Sequence, residues 1–440
     1  MTIDRSTATI VAAAPADLSP SVRHGIFLYL GILIILLAFG GPSGGLIDIP
    51  ISFFLKNRLH LTAHEVATFR LVAAIPLYLS FVFGFFRDMW NPLGMRDRGF
   101  MLLFGGVTTL LYILCAFTPI TYATLLVAVV LLTASFLFVA SAQNGLTSVI
   151  GQQHAMTGQV SAAWNVFLSI PTVGALLIGG KLSGLLEEKD PDQALRFLFL
   201  VGAAIMAVIA LYALWKPAEV FDNISVENGA GRHPIEDLKR LVRHWPIYPA
   251  MLIWLLWNFA PGSTTPLQYY LQNTLHATDA QWGEWNAIFA ASFIPTYIVY
   301  GLLCRKFPLK SLLLWGTVLA VPQMVPLLFI DTMTQALIAA IPIGLMGGLA
   351  TGAYLDLIIR SCPRGLQGTT LMTSSSLYFV VVRFGDVLGT YLYDRHGGFA
   401  ICVIAITIVY ALILPALLLV PSRLIATADG QRPTARSDQP

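Results

Sequence analysis

Apolar positions along this chain do not alternate and do not form narrow amphipathic stripes. They come in long continuous runs separated by short polar turns. A helix that crosses the hydrocarbon core of a bilayer needs about 20 mainly apolar residues. Twelve runs meet that length, over residues 26–55, 64–87, 99–117, 121–149, 155–185, 195–215, 246–275, 283–304, 309–330, 335–360, 367–394 and 398–420. Several exceed what a straight crossing requires, which predicts tilt or protruding ends. A transmembrane β-barrel would show alternation instead. The pattern predicts an all-α membrane protein of twelve spans.

The pattern also repeats. At an offset of 216, Pro50 meets Pro266, Phe53-Phe54-Leu55 meet Tyr269-Tyr270-Leu271, and Asn57, Leu59-His60 and Thr62 meet Asn273, Leu275-His276 and Thr278. After a three-residue slip Pro76 meets Pro295, and farther on Gly158 of span 5 corresponds to Gly368 of span 11. Two parallel six-helix halves with a site between them is a recurring transporter construction. The expected division is a disordered tail over 1–25, a first bundle over 26–215, a linker over 216–245, a second bundle over 246–420 and a disordered tail over 421–440. Within the linker, the stretch after His233 reads as an amphipathic helix lying on the membrane surface.

Composition agrees with the pattern. Charged residues make up 11% and mean hydropathy is +0.74, against roughly 25% charged in soluble domains. A net charge of +3 is too small to suggest a nucleic-acid partner. Cys115, Cys304, Cys362 and Cys402 lie inside apolar runs without metal-ligand or redox spacing. No phosphate-cradling loop and no zinc-protease motif occurs. The GxSxG match Gly41-Pro42-Ser43-Gly44-Gly45 falls inside an apolar run, not at the strand-to-helix turn that exposes a nucleophile. Neither an enzyme nor a cofactor or metal is expected.

Lysine and arginine set the orientation. With both termini in the cytoplasm, cytoplasmic segments hold eighteen of them and the opposite side six, as the positive-inside rule requires. Short loops and the lack of a targeting peptide point to a multi-pass protein of a bacterial inner membrane.

Between spans 2 and 3 the chain reads Gly84-Phe-Phe-Arg87-Asp88-Met-Trp-Asn-Pro-Leu-Gly94-Met-Arg96-Asp-Arg98. That Gly-x-x-x-Asp turn with a late basic cluster resembles the major facilitator superfamily, over nearly all of residues 26–420. Its lengthened form is similar to the folate–biopterin transporter group, and Arg360-Ser-Cys-Pro363-Arg-Gly365-Leu-Gln-Gly368 has the same character. The departure lies in span 4, where that group carries acidic residues and this chain has Ser141-Ala-Gln143-Asn144-Gly-Leu-Thr147. The resemblance implies two six-helix bundles and a small-molecule substrate, with alternating access between them.

Ionisable groups inside spans are costly and so are functional candidates. Asp48, after the glycine-rich interruption of span 1, and Asp386, in span 11, are candidates for proton coupling. Arg383 lies one turn from Asp386 on one helix face, and the spacing predicts an ion pair. Arg70 and Arg383 are candidates for gripping a substrate carboxylate, since a guanidinium does so bidentately. Asn144, Trp164, Asn165, Trp257, Asn258 and Gln268 are polar or aromatic candidates for the same site, the indoles by stacking on a planar substrate. Gly84, Asp88, Arg96, Asp356 and Arg360 fall at inner ends of spans and are expected to gate. The reading is a monomeric secondary-active transporter that moves a small, planar organic anion in symport with protons. The alternatives are an exporter of drug-like or amphipathic compounds and a non-transporting membrane sensor on the same fold.

Overall fold

The computed structural model describes residues 18–43, 47, 51, 54–61, 63–187, 191–221, 234–395 and 397–431. Helix 1 spans Pro20–Gly40. It starts where the sequence allows, with Ser19 accepting the amide of Val22 and Pro20 filling a position whose N–H would be unused. Helix 2 runs in three pieces, Ala63–Ala73, Ile75–Tyr78 and Ser80–Met89, broken at Pro76, whose ring removes a ladder bond. Helices 3 to 6 are Asp97–Phe117, Tyr122–Gln153, Thr157–Glu187 and Pro191–Tyr212. Helix 7 is interrupted, with Ile247–Asn258 followed by Thr265–Tyr269. Helices 8 to 12 are Asp279–Leu303, Leu309–Ala320, Met333–Ser361, Gln367–Arg395 and Phe399–Ala411. Threonines 121, 278 and 332 cap helices 4, 8 and 10 through their hydroxyls.

Nine helices among the described residues are long and apolar enough to cross a membrane. Helix 5, of 31 residues, is a tenth, and helices 2 and 7 cross in pieces. These make the twelve. Helix 3 packs on helices 4 and 6, and helix 1 on helices 5 and 6. Helix 10 gathers helices 7, 8 and 9, with helix 12 beside helix 11. Two six-helix bundles result. Large apolar side chains such as Phe117, Leu211, Phe329 and Leu418 stay exposed, as a lipid-facing surface requires. The linker helix Pro234–Arg243 carries Ile235, Leu238 and Val242 exposed on one side, so its expected amphipathic character is present.

The repeat is visible in the backbone. A π-helical turn at Phe54–Arg58 recurs at Tyr270–Thr274, 216 residues on. His60 and His276, at the same offset, both take left-handed φ, of 53° and 56°.

Three expectations need correction. The runs 26–55 and 246–275 are not single helices: helix 1 stops at Gly40, and helix 7 at Asn258, before Gly262 turns the chain at φ 111°. The first tail ends earlier than 25, since helix 1 begins at Pro20; residues 1–17 lie outside the described chain. The tail over 421–440 is not disordered in its first part. Ser422–Ile425 is helical, and Ala428 and Asp429 are buried, because open polar groups at the ends of helices 5, 8 and 10 bond to it. Residues 432–440 lie outside the described chain.

Candidate functional site

The two bundles meet most closely on the face that carries the linker. The first amides of any helix lack internal partners, and helix 11 presents its own to helix 2. Asp88 accepts the N–H of Gly368 (3.2 Å), the N–H of Thr369 (2.6 Å) and the Thr369 hydroxyl (2.7 Å). Arg87 holds Asp88 at 2.7 Å and Asp97 at 2.6 Å. Gly84 lets the backbones touch, since a Cβ there would stand 2.5 Å from the Gly368 carbonyl oxygen. Beside it, Gln152 of helix 4 donates to the carbonyls of Ile359 and Cys362, both at 2.8 Å, and accepts from Gln367 at 3.0 Å. Arg96 starts helix 3, its N–H donated to the Asn91 side chain.

On the other flank, Arg360 reaches Asp356 at 2.9 Å and donates to the Thr157 hydroxyl at 3.1 Å across the bundles. Tyr300 donates to Asp356 at 2.7 Å. Gly84, Asp88, Arg96, Asp356 and Arg360 thus gather at one end of the molecule, where they had been placed from sequence.

Toward mid-membrane the contact thins. Asn144 donates to the Met372 sulfur at 3.1 Å, and the Ser376 hydroxyl donates to the Tyr78 carbonyl. Helix 11 packs closely on the pieces Ile75–Tyr78 and Ser80–Met89 of helix 2, with no comparably close packing on Ala63–Ala73 among the described residues. Arg383 lies seven residues beyond Ser376, hence on the same helix face, where the bundles have parted. It is exposed, and among the described residues no hydrogen bond or ion pair holds it.

The expected Arg383–Asp386 pair is not formed. Asp386 turns to helix 7 instead, where the break at Phe259–Thr264 leaves donors open. It accepts the Thr264 hydroxyl, the N–H of Thr265 (3.0 Å) and the Thr265 hydroxyl (2.9 Å). Gly389 allows this approach: a Cβ on it would lie 2.5 Å from the Gly262 nitrogen.

Other candidates are scattered. Trp257 is buried, stacked on Tyr410 at 4.7 Å and edge-on to Tyr354 at 5.4 Å, so its indole serves packing within the second bundle. Asn165 and Asn258 donate back to the carbonyls of Ser161 and Trp254 along their own helices. Trp164 packs against the apolar core, Gln268 is half-buried, and Arg70 is half-buried in the outer piece of helix 2. Asp48 lies outside the described residues. Sequence reasoning missed Thr264, Thr265 and Asp429. The threonines left no periodic trace, whereas Asp429 sat in a stretch read as tail.

Twelve helices in two bundles, joined at one end by a Gly-x-x-x-Asp turn against a helix start, have the major facilitator fold. The chain belongs to the BT1 family, whose model matches residues 41–342. This bears out the resemblance to the folate–biopterin group read from the helix 2–3 loop. Folate transporter 2 of Plasmodium falciparum (isolate 3D7) is 21% identical over 310 residues, 69% of this chain and 65% of that protein. The folate-biopterin transporter of Synechocystis sp. (strain ATCC 27184 / PCC 6803 / Kazusa) is 22% identical over 335 residues, 74% and 67%. The chain thus spans about two thirds of the length of these relatives. Among solved structures, FucP in its outward conformation matches with TM-score 0.66 at 16% identity, covering 90% of this chain and 98% of FucP. The proton:xylose symporter XylE matches with TM-score 0.66 at 11% identity, covering 93% and 98%. At such identities the likeness shows the fold.

Proposed function

We propose that this membrane transporter moves a small, planar organic anion of the pterin or folate type by alternating access, in symport with protons. The observation that carries the reading is Arg383, an exposed guanidinium with no hydrogen bond or ion pair among the described residues, on the face of helix 11 beyond its close packing on helix 2. A guanidinium there offers paired N–H donors to a substrate carboxylate. The names of the two relatives supply the substrate class. In this reading the linker face is cytoplasmic, as the lysine and arginine distribution favours, so the cleft opens outward in a bacterial inner membrane.

Transport follows by rocking residues 26–215 against 246–420 about the cleft. Asp386 is the proposed coupling group on helix 11, with Asp48 as its counterpart in the first half. A carboxylate accepts all three donors from Thr264 and Thr265, whereas a protonated carboxyl accepts more weakly and turns one oxygen into an O–H donor. Protonation would therefore loosen the outer piece of helix 7 and let it close over bound substrate.

The test is a thermal-shift titration of purified protein with folic acid and biopterin. Stabilisation by folic acid, lost in Arg383→Ala and partly kept in Arg383→Lys, is expected. Equal stabilisation of wild type and Arg383→Ala would refute the site.

A further inference from the structure

We propose that residues 421–431 form the second half of the cytoplasmic gate, with Asp429 as a positioning residue that gives helix 5 the carboxylate Asp88 gives helix 11. The proposal rests on the alternating-access reading above.

Helices 5 and 11 are repeat partners, and Gly158 corresponds to Gly368. Both glycines sit in the first turn of their helices with a carboxylate from outside. Asp88 accepts the N–H of Gly368 and of Thr369 at 3.2 and 2.6 Å. Asp429 accepts the N–H of Gly158 and of Gln159 at 3.2 and 2.9 Å. Each carboxylate also holds an arginine, Arg87 at 2.7 Å and Arg360 at 3.0 Å. An anion at a helix start is favoured by the open amides and the helix dipole together.

The repeat explains why a tail residue does this. Helix 8 is the counterpart of helix 2, and at its inner end Cys304 packs on helix 5. That thiol packs on Gly158 as Asp88 packs on Gly368: added Cβ atoms would lie 3.0 Å from the Cys304 sulfur and 2.7 Å from the Asp88 oxygen. A thiol is a weak acceptor, and the Asp356 carboxylate that also lies beside Gly158 is taken up by Tyr300 and Arg360, so the first amides of helix 5 receive a carboxylate of their own when the chain returns after helix 12. Asp429 then arrives 3.6 Å from that same sulfur.

The segment is built to be held. Arg360 donates to the carbonyls of Leu424 (3.2 Å) and Thr427 (2.9 Å), and the Asp429 N–H donates to the Cys304 carbonyl at 2.9 Å. These bonds tie it to the second bundle. Asp429 on helix 5 and the Gly430 N–H on the Ala155 carbonyl (2.7 Å) tie it to the first. The bundles cannot part at helix 5 unless the second set breaks.

The test reads gate opening at a residue that Asp429 does not itself touch. Cys362, buried beside Gln152 on the other flank, is alkylated with a water-soluble maleimide and quantified by peptide mass spectrometry. This is done in the full-length protein, in Asp429→Ala and in a version ending at Val420. Loss of the bonds that the Asp429 side chain accepts from Gly158 and Gln159 should raise the Cys362 rate by about tenfold in both variants. A lowered melting temperature with Cys362 within about twofold of wild type would overturn the proposal, since segment and carboxylate would then only stabilise. Should wild type fail to bind folic acid, the substrate reading fails while the Cys362 comparison still decides the gate.

Discussion

Gly84→Ala tests the gate through geometry alone. Its Cβ would stand 2.5 Å from the Gly368 carbonyl oxygen, 2.8 Å from the Gly368 carbonyl carbon and 2.8 Å from the Met372 Cβ. Two of these atoms are backbone of the opposite bundle, so no rotamer relieves the clash. Helices 2 and 11 must move apart, stretching the three bonds that Asp88 accepts. Overpacking of this kind costs about 1–3 kcal/mol. Alanine also gains about 1 kcal/mol over glycine in a helix, but helix 2 is helical in both transport states, so the gain cancels from their balance. The clash exists only with the cytoplasmic gate closed. The equilibrium should therefore shift toward the inward-open state by about 5- to 150-fold. Alkylation of Cys362 reads this directly, with the melting temperature as control. An unchanged Cys362 rate in a protein that melts normally would refute the idea that this contact must part.

Asp429 makes the gate sensitive to pH. Its burial and the nearby Asp356 push its carboxyl up to about 6, with Arg360 acting the opposite way; the Cys304 thiol also faces it, and Tyr300 lies close enough to interact through charge. Undocked, it would titrate near the ordinary aspartate value of about 3.9. Docking thus takes up a proton, so it is tightest below that value and weakens as pH rises through about 6. Hydrogen exchange over 424–431, corrected for intrinsic rate, should show less protection at about pH 7.5 than at about pH 5, and the reverse order would contradict this. Asp386→Asn should raise exchange over 259–269, because an amide replaces the carboxylate that accepts from Thr264 and Thr265. Each charge-assisted bond lost is worth about 1.5–3 kcal/mol. Unchanged exchange there would remove Asp386 as the hold on helix 7.

The spans, the two bundles and the helix 2–3 turn were legible because each rests on a local rule. Bilayer thickness dictates run length, and the 216-residue offset survives in paired residues whose backbones do the same thing, such as His60 and His276. Gly84 and Asp88 were legible as a motif. What stayed hidden depended on long-range contact. Arg383 and Asp386 have the spacing of an ion pair, but spacing along one helix says nothing of Thr264 and Thr265, whose donors are open only because helix 7 breaks. Trp257 beside Asn258 resembled a stacking platform, and the rings that bury it, Tyr354 and Tyr410, lie about 100 and 150 residues away by position in the chain. Asp429 sits in a polar stretch whose composition suggests disorder, and its partners are amides that no sequence reading marks as vacant.

Flux is the most direct test of the account. Proteoliposomes containing only this protein, with an imposed inward proton gradient, would be followed for uptake of radiolabelled folic acid. The account predicts saturable accumulation above the external level that collapses when the gradient is dissipated. Folic acid that binds the purified protein yet never enters above the level of protein-free liposomes would contradict it.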